Sequence, residues 1–335
     1  MLTADAFTPI DVPATSRPQL FIIVDTEEEF DWTAPFSRES VAVTAIQEAG
    51  RLQRAVTPYG LKPTYVVDYP VAATSASAET LAAFAHSGEC RIGAHLHPWV
   101  TPPFDEPLVP AMSYGCNLGE PIERSKIETL SRTIQTKMGV HPRVFKAGRY
   151  GLGHSSVKIL ESLGYDVDAS VIPHMDFRNE SGPSFLGFSP RPAVFGSARR
   201  MLELPCTTGF VGAARAAGEW LHGVASSAVL QPLKAVGILS RTGMLNKVML
   251  SPEGNTLGEM KALTRALHAD GLRTFALTFH SPSLKPGCTP YVRTTADRDA
   301  FVATIDAYCN FFFKELNGQP TTAEELFESL GTGKA

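Results

Sequence analysis

Short apolar runs rich in β-branched residues alternate with amphipathic stretches along this chain, and this alternation most constrains its fold. Residues 20–24 (Leu-Phe-Ile-Ile-Val) form one such run, and a helical repeat follows it at Ile46, Ala49, Leu52 and Val56. The pattern predicts strands at 18–25, 62–68, 91–97, 144–147, 166–172, 201–204 and 273–279, separated by helices at 41–57, 79–86, 122–138, 154–163, 256–269 and 297–316. Such alternation implies a mostly parallel sheet, either open or closed into a barrel.

Residues that can carry chemistry follow the predicted strands. In a parallel barrel the functional groups lie at the carboxyl ends of the strands. Seven polar residues fall at such ends in this sequence, namely Asp25, Glu27, His95, His97, Arg149, Asp168 and His280. Their shared position favours a closed or nearly closed barrel over an open sheet.

A single barrel domain is expected at 18–335, after a polar, proline-containing tail at 1–17. An insertion is expected at about 174–255. Its first part, 174–199, is rich in Pro, Gly, Ser and Asn and predicts a surface loop, whereas 212–250 predicts an Ala-rich helical stretch.

Composition excludes several kinds of partner. The formal net charge is −4 and no basic run is present, so we expect no nucleic-acid partner. The apolar runs are short and interrupted, so we expect no membrane span. Five scattered cysteines, never in a Cys-x-x-Cys pair, indicate free thiols in a reducing compartment. The N-terminal residues show no basic segment followed by an apolar stretch, so we expect a cytoplasmic protein. The sequence does not predict the oligomeric state.

Two alternations of polar residues indicate a metal site. Asp25 and Glu27 are two residues apart, as are His95 and His97, and each pair follows an apolar run. On a strand, residues i and i+2 point to the same side, so each pair presents its groups together. Two acids and two histidines from neighbouring strand ends are suited to a hydrolytic metal centre. The alternatives are a solvated acidic turn and histidines with a purely structural role.

Three further residues extend this group. Arg149 lies in a Gly-flanked turn, where it is either a surface residue or a residue whose guanidinium group holds a carboxylate through two hydrogen bonds. Asp168 and Ser170 alternate at another strand end and either act in the site or cap the following loop. His280 ends the last predicted strand, a position suited to a general acid.

The order of these residues resembles the polysaccharide deacetylase (NodB-homology) superfamily, over roughly residues 18–320. The segments similar to that family's second to fifth motifs are 92–95 (Ile-Gly-Ala-His), 149–151 (Arg-Tyr-Gly), 168–170 (Asp-Ala-Ser) and 279–284 (Phe-His-Ser-Pro-Ser-Leu). Residues 286–291 (Pro-Gly-Cys-Thr-Pro-Tyr) look like a divergent, WalW-type branch. The resemblance implies an α/β fold, a distorted (β/α)7-like barrel of the polysaccharide deacetylase and glycoside hydrolase-deacetylase type.

The resemblance also implies a reaction, the hydrolysis of an N-acetyl group from a sugar with the help of a divalent metal, usually Zn2+. Carried over position by position, it makes Asp25 the general base and His280 the general acid. Arg149 would anchor Asp25, and Asp168 would orient His280.

The same comparison implies the metal ligands. Glu27 stands where the family has an aspartate, and His95 is the first metal histidine. The family's second histidine lies four residues further on, where this chain has Trp99, so His97 is the expected substitute. The expected substrate-binding residues are Trp99, Tyr150 and Ser281.

The implied partner is an N-acetylated sugar or glycan. Two other functions stay open at this point. One is an amidase that hydrolyses a C–N bond in a small nitrogen compound. The other is a catalytically inactive carbohydrate-binding barrel, which the absence of a histidine at position 99 favours.

Overall fold

Seven parallel strands form the frame of the molecule in a computed structural model that describes residues 2–226 and 234–330. In the order in which they lie side by side, they are β8 (Met201–Glu203), β6 (Val167–Asp168), β5 (Val144–Ala147), β4 (Arg91–Leu96), β3 (Thr64–Val67), β2 (Gln19–Thr26) and β11 (Thr274–His280). Parallel neighbours require crossover connections, and helices supply most of them.

The remaining strands extend this sheet or stand apart from it. β7 (Ala193–Phe195) and β1 (Thr8–Pro9) continue the sheet beyond β8 in antiparallel pairing. β12 (Gln319–Pro320) pairs with the start of β2. β9 (Thr208–Val211) and β10 (Asn246–Met249) form a separate antiparallel pair.

The helices follow the strands in the sequence. They are α1 (Ala49–Val56), α2 (Tyr69–Ala73), α3 (Ser75–His86), α4 (Glu120–Met138), α5 (His154–Leu163), α6 (Gly218–Ala225), α7 (Ala235–Arg241), α8 (Leu257–Ala269), α9 (Thr295–Lys314) and α10 (Ala323–Ser329). A Thr322–Glu325 capping box begins α10.

The two edge strands of the parallel sheet are joined by loop backbone. Cys206, after β8, donates its N–H to Val171 O at 2.9 Å. Leu250 donates to Thr207 O at 2.8 Å and accepts from Thr278 N–H, on β11, at 3.1 Å. The sheet is thus curled almost into a ring, and the expected distorted (β/α)7-like barrel is confirmed.

Alternate strand residues face the barrel interior. Phe21, Ile23 and Val66 belong to a small buried cluster that also includes Ala323 and Leu326 of α10. Leu20, Ile22 and Val24 belong instead to the larger cluster between the sheet and the surrounding helices. The period of two residues along each strand therefore decides which side chains point into the barrel.

Two regions of the chain differ from the predictions, which made 1–17 a tail and 212–250 a helical stretch. Within 1–17, β1 pairs with β7, and the Phe7 ring stacks on Phe195 with centroids 4.9 Å apart. Within 212–250, where a helical stretch is expected, β10 is a strand because Lys247 and Val248 pair with Phe210 and Gly209 of β9. The part of that expectation at 227–233 lies outside the described residues. Across 2–226 and 234–330, no helix has the length and apolarity needed to cross a membrane.

Candidate active site

The mouth of the barrel contains a cavity of about 280 Å³. Asp25 continues the inward row that Phe21 and Ile23 begin, because alternate residues share a face. The strand register places Asp25 beside His280, and His95 beside Lys146. The charged and imidazole groups that line the cavity are Asp25, Glu27, His95, His97, Lys146, Arg149 and His280.

A carboxylate and two imidazoles converge in this cavity. Glu27 Oε2 lies 3.3 Å from His97 Nε2 and 3.6 Å from His95 Nε2. All three side chains are buried, and Glu27 Oε1 has no hydrogen-bond partner among the described residues. The three residues expected to bind metal are therefore brought together by the fold.

Both imidazoles turn Nε2 towards Glu27. His95 Nδ1 lies 3.0 Å from the carbonyl oxygen of Lys146, which only accepts, so this nitrogen carries the proton. His97 Nδ1 donates in the same way to Glu28 Oε2 at 2.8 Å. Burial lowers the pKa of His95 and lowers that of His97 to about 4. Each Nε2 therefore presents a lone pair at neutral pH.

This donor set fits a divalent metal ion. Ligand atoms arranged tetrahedrally around zinc, at bond lengths of about 2.0–2.2 Å, lie about 3.3–3.6 Å from one another. The distances from Glu27 Oε2 to the two Nε2 atoms are close to this value. Burial raises the pKa of Glu27, because it disfavours the charged carboxylate. Glu27, His95 and His97 could hold such an ion.

A second layer of polar groups holds His97 in place. Glu28 accepts the His97 Nδ1–H through Oε2 and the Trp99 Nε1–H through Oε1, each at 2.8 Å. Burial, together with a hydrogen bond to Glu28, raises the pKa of Asp68 well above its ordinary value. Burial also raises the pKa of Glu28 to about 7, and the two hydrogen bonds that Glu28 accepts orient the His97 imidazole.

Lys146, and not Arg149, anchors Asp25. Lys146 Nζ lies 2.7 Å from both oxygens of Asp25. Burial favours the neutral acid, but the Lys146 ammonium outweighs it and lowers the pKa of Asp25. The prediction that Arg149 holds Asp25 is wrong, because Arg149 follows the strand in a turn and bonds Ser113 and Glu180 instead. The sequence did contain a signal for this role of Lys146. A lysine within an apolar strand is expected to be buried, and a buried charge requires a partner of opposite charge.

Glu253, and not Asp168, orients His280. Glu253 accepts the His280 Nδ1–H at 2.7 Å and the His280 backbone N–H at 3.1 Å. Burial opposes the charge on His280, but Glu253 and the nearby acids raise its pKa to about 10. The imidazole is therefore protonated at neutral pH, with Nε2–H lying 3.7 Å from Asp25 Oδ2.

The prediction that Asp168 orients His280 is wrong, because alternate residues of a strand point to opposite sides of the sheet. Val167 faces the barrel interior, so Asp168 points to the opposite side of the sheet. There it accepts from Ser170 Oγ at 2.7 Å and lies in register with Glu203. Glu253 was missed because it follows β10, near the end of the insertion expected at about 174–255.

The three expected substrate-binding residues have different environments. Tyr150 lines the cavity, and its ring stacks on Phe177 with centroids 5.5 Å apart. Trp99 also lines the cavity but is buried, and its indole N–H is committed to Glu28. Ser281 is buried and accepts the Glu27 backbone N–H at 3.2 Å, which places it behind the metal-ligand candidate.

Aromatic side chains form much of the remaining wall. Trp32 contacts His280 edge to face, with ring centroids 5.0 Å apart. Trp99 stacks on His97 at 4.2 Å. The aromatic lining consists of Phe30, Trp32, Phe36, Trp99, Tyr114, Tyr150 and Phe177. Apolar walls of this kind exclude water and strengthen the electrostatic interactions inside the cavity.

Comparison with known proteins identifies the fold. No family model and no curated protein matches this sequence. Among solved structures, a candidate polysaccharide deacetylase from Mycobacterium smegmatis superposes with a TM-score of 0.53 at 16% identity, over 97% of this chain and 94% of that one. A peptidoglycan N-acetylglucosamine deacetylase gives 0.47 at 9% identity, over 95% and 92%. The Xyl-CE4 domain of a xylanase from the hindgut metagenome of Trinervitermes trinervoides gives 0.44 at 10% identity, over 94% and 92%.

The chain therefore has the fold of the polysaccharide deacetylases. The predicted resemblance to that superfamily is confirmed at the level of the fold, since the Mycobacterium smegmatis structure superposes over nearly the whole of both chains. The WalW-type branch stays a prediction.

Proposed function

We propose that this chain is a zinc-dependent hydrolase that removes an N-acetyl group from a sugar or glycan. The observation that carries this proposal is the convergence of Glu27 Oε2 with the Nε2 atoms of His95 and His97. The fold shared with polysaccharide deacetylases supports it.

A divalent ion held by Glu27, His95 and His97 would polarise the amide carbonyl and make a water molecule more acidic. Hydrogen-bond partners of the two histidines orient their imidazole rings for this chemistry. Glu28 fixes the tautomer and direction of His97, and the Lys146 carbonyl does the same for His95. The aromatic walls limit the access of bulk water.

Two groups in the cavity are suited to move protons. Asp25 stays ionised beside Lys146 and is placed to take a proton from the attacking water. His280 is protonated, because Glu253 accepts its Nδ1–H, and its Nε2–H is available to the departing amine. The His280 Nε2 and Asp25 Oδ2 atoms lie 3.7 Å apart in the same cavity.

Metal analysis of the purified protein, combined with an acetate-release assay on N-acetylglucosamine oligomers, tests the proposal. We expect about one zinc per chain, lost in His95→Ala but kept in His141→Ala, a control at an exposed histidine. Asp25→Asn should keep the metal and lose acetate release. A metal-free protein that binds glycan would instead indicate a binding barrel. A zinc protein that is inert towards sugars but cleaves small amides would indicate an amidase.

A further inference from the structure

Arg149 lines the cavity that holds Glu27 and His97, yet it takes no part in holding Asp25. We propose that Arg149 binds a carboxylate of the substrate, so that the site accepts an anionic N-acylated compound. This inference rests on the proposed function and specifies its substrate class.

Two aromatic rings contact the Arg149 guanidinium. Its central carbon lies 4.3 Å from the centroid of Tyr114 and 5.3 Å from that of Phe36. The backbone supports this placement, since Arg149 and Tyr150 both have left-handed φ angles, 51° and 59°. Such angles are uncommon outside glycine and persist only where the surroundings hold them. The guanidinium is thus pre-positioned at the cavity wall.

The guanidinium has donors left for a ligand. Arginine carries five N–H donors in a planar fork that matches a carboxylate. Among the described residues, Nη1 donates to Ser113 Oγ at 2.7 Å and Nη2 donates to Glu180. The Glu180 carboxylate shows that a group of this chemistry is accepted at the fork.

Arg149 differs from the other cations of the cavity in its partner. Lys146 is matched by buried Asp25, and His280 by buried Glu253. The Glu180 side chain is instead 60% exposed. An exposed ion pair contributes little free energy, so a substrate carboxylate enclosed by the cavity can replace Glu180 at small cost. Among the described cavity residues, Arg149 is therefore the cation whose carboxylate partner, Glu180, a substrate carboxylate can replace.

The size of the cavity limits where the substrate carries its charge. A volume of about 280 Å³ is at the small end for ligand sites. We therefore expect the carboxylate that contacts Arg149 to lie on the same unit that carries the acylated nitrogen.

Calorimetric titration with benzoate and its neutral isostere benzamide tests the proposal without relying on turnover. The zinc-loaded wild type should bind benzoate at least about tenfold more tightly than benzamide, as a charge-assisted pair predicts. Arg149→Met should remove this preference while leaving benzamide binding unchanged, with near-UV circular dichroism confirming the fold. Glu180→Gln, which removes the competing carboxylate, should strengthen benzoate binding alone.

Two outcomes would overturn the assignment. Equal binding of the two probes by the wild type would show that Arg149 does not recognise a carboxylate. A benzoate preference that persists in Arg149→Met would place the carboxylate on zinc or on another cation. Neither outcome depends on acetate release, so a failure here is distinguishable from a failure of the proposed deacetylase function.

Discussion

Lys146 Nζ lies 2.7 Å from both carboxylate oxygens of Asp25, inside the mouth of the barrel. Both side chains are buried, so each charge depends on the other. The pair keeps Asp25 ionised where burial alone would favour its neutral form. It also occupies the lysine, which leaves Arg149 to face the cavity.

Lys146→Met should destabilise the protein by roughly 3–5 kcal/mol, because it removes the ammonium group that contacts both oxygens of a buried carboxylate. It should also abolish acetate release, since the pKa of Asp25 then rises with burial. Urea denaturation measures the first effect. Lys158→Met, at an exposed lysine of α5, is the matched control and should change little. Stability equal to that of the wild type would show that the pair is not energetically coupled. The double variant Asp25→Asn/Lys146→Met should recover much of the loss.

Glu253→Gln should shift the pH dependence of kcat. The pKa of His280 is raised to about 10, so the imidazole stays protonated through neutral pH and is lost as an acid only near pH 10. Without Glu253, the alkaline fall in kcat should move from about pH 10 towards pH 6.5, the ordinary pKa of a histidine side chain. The stability that this raised pKa contributes is full below pH 6.5 and disappears as the pH rises through about 10. Glu219→Gln, which removes the partner of His174, should leave the kcat profile unchanged. An unshifted profile in Glu253→Gln would remove His280 from the role of general acid.

Trp99→Phe should weaken zinc binding by about tenfold without removing a ligand, because Glu28 loses a donor and His97 is less firmly oriented. Competition with a chromogenic chelator measures this change. Trp32→Phe replaces an indole of the same cavity that contacts His280 rather than Glu28, so its zinc affinity should stay at the wild-type level. Equal affinities in all three proteins would mean that the Glu28 network does not tune the site.

Gly148→Ala should displace His97. An added Cβ would clash with Leu96 O and lie 2.5 Å from His97 Cδ2, so the imidazole cannot keep its position. We expect a loss of zinc affinity of more than about tenfold and a lower unfolding free energy. Gly50→Ala, in α1, meets only ordinary contacts at 3.5 and 4.0 Å and should be neutral or slightly stabilising. Full zinc binding by Gly148→Ala would show that the backbone adjusts there at no cost to the site.

Periodicity within the chain accounts for most of what could be predicted. The apolar runs gave the seven parallel strands within a few residues of their observed bounds, because burial on both faces of a parallel strand leaves a continuous apolar signature. The same period of two residues brought Glu27, His95 and His97 to one point. The strand β10 was missed because it forms by pairing with β9, and pairing partners far apart in the sequence leave little local signal.

The sequence by itself determined the barrel, the placement of polar residues at strand ends and the converging acid and histidines, since each follows from local periodicity. Only the tertiary structure decided which partner each charge takes. Lys146 and Glu253 are distant in the sequence from Asp25 and His280, and register and curvature bring them to within 2.7 Å. Asp168 faces the other side of its sheet because Val167 occupies the inward position. Arg149 is turned towards the cavity by left-handed backbone angles and two aromatic rings, which no pattern of apolar and polar residues encodes.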